Sequence, residues 1–343
     1  MKKIGFDNKK YLNAQAKAIR ERVEKFGKLY FEIGGRLTFD GHASRVLPGY
    51  HPDNKLHLLK KLGKDLGMLY CVNSIELQKG TLWSDTSLTL DKLAEKETQI
   101  LGQNGVCVIG IVATFFNGQK KVIEFKKRLE KKGKKLFTTS IIQGYPVDLK
   151  SVFGGKGFDS QELIPTDKKI VGVTGCGANS GKMFVCLSQI YNENRLGGDS
   201  GFAKFETFPI WNLPINHEVN VAYEAATADI HDGILIDPFH KEAYGVTSVN
   251  YNRDIENFAI LKRIIQRIAP KDNFMHEYKS PTDMGLNMAK KGIINDSVVR
   301  AAAREEIVRR YYFYKNKLHG EKKTNALKRM EKILKKVGLE EIE

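Results

Sequence analysis

Residues 106–113, VCVIGIVA, are apolar throughout, with no alternation of polar and apolar positions. A strand wetted on one face alternates; a strand covered on both faces does not. This run therefore calls for helices on both sides of whatever sheet contains it. Shorter strands are predicted at 29–33, 68–72, 136–142, 170–174, 202–208 and 234–236. Between them apolar residues return every three or four positions, the helical spacing. Leu12, Ala16, Ile19, Val23 and Phe26 share one face in this way. Helices are predicted over 8–26, 52–64, 91–103, 118–132, 181–194, 218–228 and 253–269, and from 296 onward with a break near His319 and Gly320. The fold class expected is α/β: two Rossmann-like or P-loop-like domains with mostly parallel sheets, plus C-terminal helices.

Residues 145–166 interrupt this alternation with FGGKGFDS and Pro165, and the domain boundary is placed there. The reading is an N-terminal Rossmann-like domain over 1–150, a linker over 151–167, a phosphate-loop-like α/β domain over 168–295, and C-terminal helices over 296–343. A length of 343 residues accommodates two such domains, at ~100–200 residues each. An apolar content of 41% excludes a wholly disordered chain. No segment approaches the ~20 apolar residues of a membrane span. The basic N-terminus lacks the apolar core of a secretory signal. The cysteines are scattered, with no C-x-x-C pair. A cytoplasmic protein with no membrane partner is expected. The net charge is +16, and residues 120–135 hold nine Lys/Arg against two Glu. No aromatic residues alternate with those lysines as a base-stacking platform needs, so a solvated helix face is expected rather than a nucleic-acid site.

Candidate chemistry centres on residues 168–191, KKIVGVT-GCGANSGK-MFVCLSQIY. A β-branched run gives way to a glycine-rich turn, and then a helix begins. Such a turn directs backbone amides and a helix N-terminus at an anion. The phosphate loop G-x-x-x-x-G-K-[ST] is matched in part: Gly181 and Lys182 fit, but Cys176 stands at the first glycine and Met183 at the hydroxyl that would meet Mg²⁺. Gly175, Gly177, Asn179, Ser180, Gly181, Lys182 and Met183 are the cofactor-binding candidates, for ATP or GTP with Mg²⁺. Ser180 can supply part of the missing hydroxyl's role. The same turn matches in part the dinucleotide fingerprint, with Gly175 and Gly177 in place and Glu193 or Asp199 near the ribose-binding position. NAD(P) is the alternative cofactor. A third reading is that the glycines only make a tight bend.

Asp229, His231, Asp232, Asp237 and His240 fall close together. Asp237 and Asp232 are candidate metal ligands, and Asp237, His231 and His42 are candidate catalytic groups. The structural alternative is that Asp237 bonds to loop backbone. Arg36, His42 and Arg45 follow the first strand and suggest a second anion site; alternatively, Arg45 pairs with a carboxylate across the domain interface while Val46 and Leu47 pack. Asn252 and Arg253 precede a helix and are candidates for the substrate side of a cleft.

The motifs GFAKFETFPIWNLP, VAYEAATADIHD, DPFHKEAYG, VNYNRD and YKSPTDMG, with HASRVLPG near the start and SGKM at the turn, resemble a bacterial family. It is catalogued as uncharacterised protein family 0371, or domain of unknown function 1846. The resemblance runs from Lys2 to about Tyr312. It implies a Rossmann-like N-terminal domain and a second α/β domain, and no particular activity. Family members read PGPGSGKM where this chain has GCGANSGKM, which makes Met183 a family trait. Members usually continue into a further C-terminal α/β region. The expectation is a homo-oligomer, or a separate chain that supplies that region. Taken together, the expected function is nucleotide-dependent phosphoryl or nucleotidyl transfer, ligation or hydrolysis on a small-molecule substrate in an interdomain cleft. The alternatives are an NAD(P)-dependent oxidoreductase and a non-catalytic nucleotide sensor.

Overall fold

A computed structural model describes residues 3–83, 87–177, 179–230 and 232–339. Seven strands form its main sheet: β1 (Lys28–Ile33), β2 (Leu66–Asn73), β3 (Cys107–Phe116), β4 (Leu136–Ser140), β5 (Ile170–Gly175), β6 (Ser200–Phe205) and β7 (Gly285–Leu286). Their order is β7-β6-β1-β5-β2-β3-β4, and every neighbouring pair is parallel.

The unbroken apolar runs are explained by what covers them. On β2 and β3, Tyr70, Val72, Ile111 and Ala113 face one cluster, with Leu93 of helix Leu90–Gln103 and Phe125 of helix Lys120–Glu130. Cys71 and Val112 face another, shared with Ile19 of helix Asn8–Val23, Leu187 of helix Lys182–Arg195 and Phe258 of helix Asn252–Ile268. Both faces are thus dry, as the lack of alternation requires. A third cluster lies among helices. Val219 and Ala222 of Glu218–Ala226 pack on Ala303 and Ile307 of Asp296–Lys317 and on Met330 of Gly320–Lys336.

The expected division into two separate α/β sheets is corrected. The sheet takes β1 to β4 from residues 1–150 and β5 to β7 from residues 168–295, and β5 enters between β1 and β2. Residues 151–167 are a connection that packs as it passes. Phe158 and Ile164 are buried, and the Ile164 amide donates to Gln189 Oε1. Composition marked this stretch as irregular, but irregularity does not reveal where the next strand pairs. No helix among the described residues is long and apolar enough to cross a membrane.

Candidate functional site

The carboxyl ends of the parallel strands open into a cleft of about 1280 Å³. This is where open α/β sheets receive ligands. Glu32 and Arg36 reach it from β1 and the loop beyond, Asn73 from β2, Gly175 and Gly177 from β5, and Glu206 from beyond β6.

The glycine-rich turn is part of its lining. Gly177 has φ +75°, and a Cβ there would stand 2.6 Å from the Trp83 indole. Gly181 has φ +80°, and a Cβ there would stand 2.9 Å from Thr114. Both positions need glycine for conformation and for space. Neighbouring strands hold the turn. Asn73 Nδ2 donates to Asn179 O at 3.0 Å, and Thr114 Oγ1 donates to Ser180 O at 2.9 Å. Ser180 Oγ donates to Gly177 O at 3.0 Å, so this hydroxyl braces the turn from within. Gly181 starts helix Lys182–Arg195 without a side-chain cap. The first amides of a helix have no intrahelical partner, and here they border the cleft beside Lys182 and Met183. The Lys182 ammonium is folded inward: Nζ donates to Gly177 O at 3.1 Å and stands 3.9 Å from Glu32 Oε1, with 13% of the side chain exposed.

The cleft also contains residues that motif reasoning missed. Lys204 Nζ bonds Asp254 and lies 3.1 Å from Glu206 Oε1. Burial pushes the Glu206 carboxyl up to about 8; Lys204 opposes that shift and the nearby Asp254 reinforces it. The lysine itself is held well above its ordinary value. Burial works against its charge, but Asp254, Glu206 and Glu32 outweigh it. The sequence offered one signal for Glu32, a lone charge inside the apolar strand LYFEI. Lys204 and Glu206 had a comparable one in FAKFE.

The other candidates separate. Arg36, Asp232 and Arg253 line the cleft, with Arg253 Nη2 donating to Asp232 Oδ2 at 2.7 Å. Asn252 Oδ1 accepts from the Gly233 amide at 3.0 Å and serves the loop. His231 lies outside the described residues. Asp237 is fully buried away from the cleft and holds structure together. It accepts from the His240 amide at 3.0 Å as the cap of helix Pro238–Tyr244, and from Thr282 N and Oγ1 at 3.2 and 2.6 Å. Both of its carboxylate oxygens accept from protein donors, so the structural alternative is the observed one. The same holds for His42 and Arg45. Both turn to the buried Glu306, His42 Nδ1 at 3.1 Å and Arg45 Nε at 2.7 Å, while Val46 and Leu47 pack in the core. Glu193 and Asp199 stand at the opposite end of the sheet, on Lys28 and on the Gly27 amide, out of reach of the turn. Among the described residues no group of three or more His, Cys, Asp and Glu forms a metal cage.

The family model described as "Domain of unknown function DUF1846, N-terminal" matches residues 4–338. A UPF0371 protein of Streptococcus pyogenes serotype M5 (strain Manfredo) is 42% identical over 341 residues, which is 99% of this chain and 68% of that protein. One from Clostridioides difficile (strain 630) is also 42% identical over 341 residues, 98% of this chain and 67% of the other. One from Clostridium botulinum (strain Alaska E43 / Type E3) is 43% identical over 310 residues, 90% of this chain and 61% of the other.

Proposed function

This chain belongs to the DUF1846 family, and we propose that it binds the polyphosphate of ATP or GTP, with Mg²⁺, at the turn between β5 and helix Lys182–Arg195. The reading extends to phosphoryl or nucleotidyl transfer, ligation or hydrolysis on a small molecule held in the same cleft. One observation carries it: the Lys182 ammonium lies among the cleft-lining residues, between Gly177 O and Glu32, beside the uncapped start of its helix. An ammonium and a fan of amides neutralise and orient phosphate oxygens together. Trp83, Leu93, Ile100 and Phe115 add an apolar wall on which a base can lie.

Sheet order favours a mononucleotide over NAD(P). In dinucleotide folds the strand that follows the glycine turn pairs with the strand that precedes it. Here β6 follows the turn, and β1 separates it from β5. The two acids at ribose spacing are also at the wrong end of the sheet.

Calorimetric titration with ATP and GTP in Mg²⁺ tests the proposal. Lys182→Ala is expected to weaken binding at least tenfold, or ~1.4 kcal/mol. Unchanged affinity removes the phosphate assignment. Binding without turnover on any acceptor would leave a nucleotide sensor.

A further inference from the structure

Glu32 is a central-strand carboxylate without a hydrogen bond among the described residues. In the sheet it pairs in register with Val173 of β5 on one side and Lys204 of β6 on the other. The residue is 7% exposed and lines the cleft. Its Oε2 is sealed and accepts nothing among the described residues, and Oε1 comes no closer than 3.9 Å to Lys182 Nζ. Burying an ionised carboxylate costs several kcal/mol unless donors or a cation meet it. The neighbouring acids are already engaged, Glu206 and Asp254 by Lys204 and Asp232 by Arg253.

A polyphosphate at the turn sharpens this imbalance. Once Lys182 turns to phosphate, Glu32 keeps only Lys204, which Asp254 and Glu206 already engage, and it faces an anion. Mg²⁺ resolves the conflict: it bridges phosphate oxygens, keeps most of its waters, and needs only one or two carboxylates. Met183 offers it no hydroxyl, and Asp237 is fully buried on Thr282 and the His240 amide.

We propose that Glu32 holds the divalent cation that accompanies the nucleotide phosphates at Lys182, directly or through a cation-bound water. The assignment rests on the nucleotide reading above and adds the residue that reading lacks. The cation enters with the phosphates, in keeping with the lack of a ready-made acidic cage among the described residues.

ATP titrations in Mg²⁺ and in EDTA test it, on the wild type and on Glu32→Gln. The wild type is expected to bind at least about tenfold more tightly with the metal than without. Glu32→Gln should lose that gain and keep, or improve, its affinity in EDTA, because a negative charge beside the phosphates is gone. Mn²⁺ titration in the presence of ATP, followed by electron paramagnetic resonance on Glu32→Asp, reads the same contact while retaining the charge. Mn²⁺ affinity should fall about fivefold or more as the carboxylate retreats by one methylene. ATP binding with an intact metal gain in Glu32→Gln, or unchanged Mn²⁺ affinity in Glu32→Asp, overturns this assignment alone. Failure of the wild type to bind ATP or GTP under either condition overturns the nucleotide reading, and this assignment with it.

Discussion

Single side chains decide both the cleft and its surroundings. Gly181→Ala places a Cβ against Thr114 at a left-handed backbone position. It should lower stability by ~1–2 kcal/mol in urea unfolding and weaken nucleotide binding in the same preparation. Glu306 is a different kind of hub. Its buried carboxylate accepts from His42, Arg45, Arg309 and Arg310. Burial alone would raise its pKa, but hydrogen bonds from Arg309, His42 and Arg45 prevail and hold it far below the usual carboxylate range. A depressed carboxyl stabilises the fold above its unfolded value and loses that contribution as pH falls toward the folded one. Wild-type stability should therefore drop on acidification below about pH 4.5, and Glu306→Gln should flatten the drop. The same variant weakens the hydrogen bonding of three arginines, of which Arg45 and Arg309 are 41% exposed, at a cost of ~1–3 kcal/mol near neutral pH, measurable by denaturant titration. Legibility at this scale follows chemistry. Gly181 stands out because few residue types suit a tight left-handed turn between a strand and a helix. His42 and Asp237 look equally chemical in a linear string. Only their partners, Glu306 and Thr282, distant in sequence, show that they serve packing.

Elements were easier to read than residues. Helix Lys182–Arg195, helix Asn252–Ile268 and strand β3 follow directly from apolar spacing, because periodicity is a local property. Helix Gly41–Val46 and the two-residue β7 are too short to carry a period, and tertiary contacts define them. Helix Lys120–Glu130 shows how a charge run can be misread. It buries Val122, Phe125 and Leu129, and exposes Lys120, Lys121, Lys126 and Lys127. Replacing those four lysines with alanine should leave nucleotide affinity within about twofold, as measured by the same calorimetry. A larger loss would mean that this face takes part in ligand capture.

At the scale of the whole molecule, the cleft's acid–base balance should be visible in thermal stability. Burial pushes the Glu206 carboxyl up to about 8 in the folded protein, from an ordinary value of 4.5. Between those values the folded state binds a proton that the unfolded chain releases, so this group lowers stability as pH rises through the window. Calorimetric scans from pH 5 to pH 9 should show that Glu206→Gln removes part of the wild-type decline in Tm; an unaltered slope would reject the raised carboxyl. Global arrangement was the least legible level, because strand pairing is set by contacts far apart in sequence. The stretch 151–167 has the composition of a boundary, yet the next strand returns to the middle of the sheet. That return has a consequence for biogenesis. As the polypeptide leaves the ribosome, β1 and β2 emerge long before the strand that will sit between them. Both present open edges until residues 170–175 arrive. The nascent chain therefore passes through a stage with a gap at its centre, and early termination or slowed translation within that interval should favour aggregation over a folded fragment.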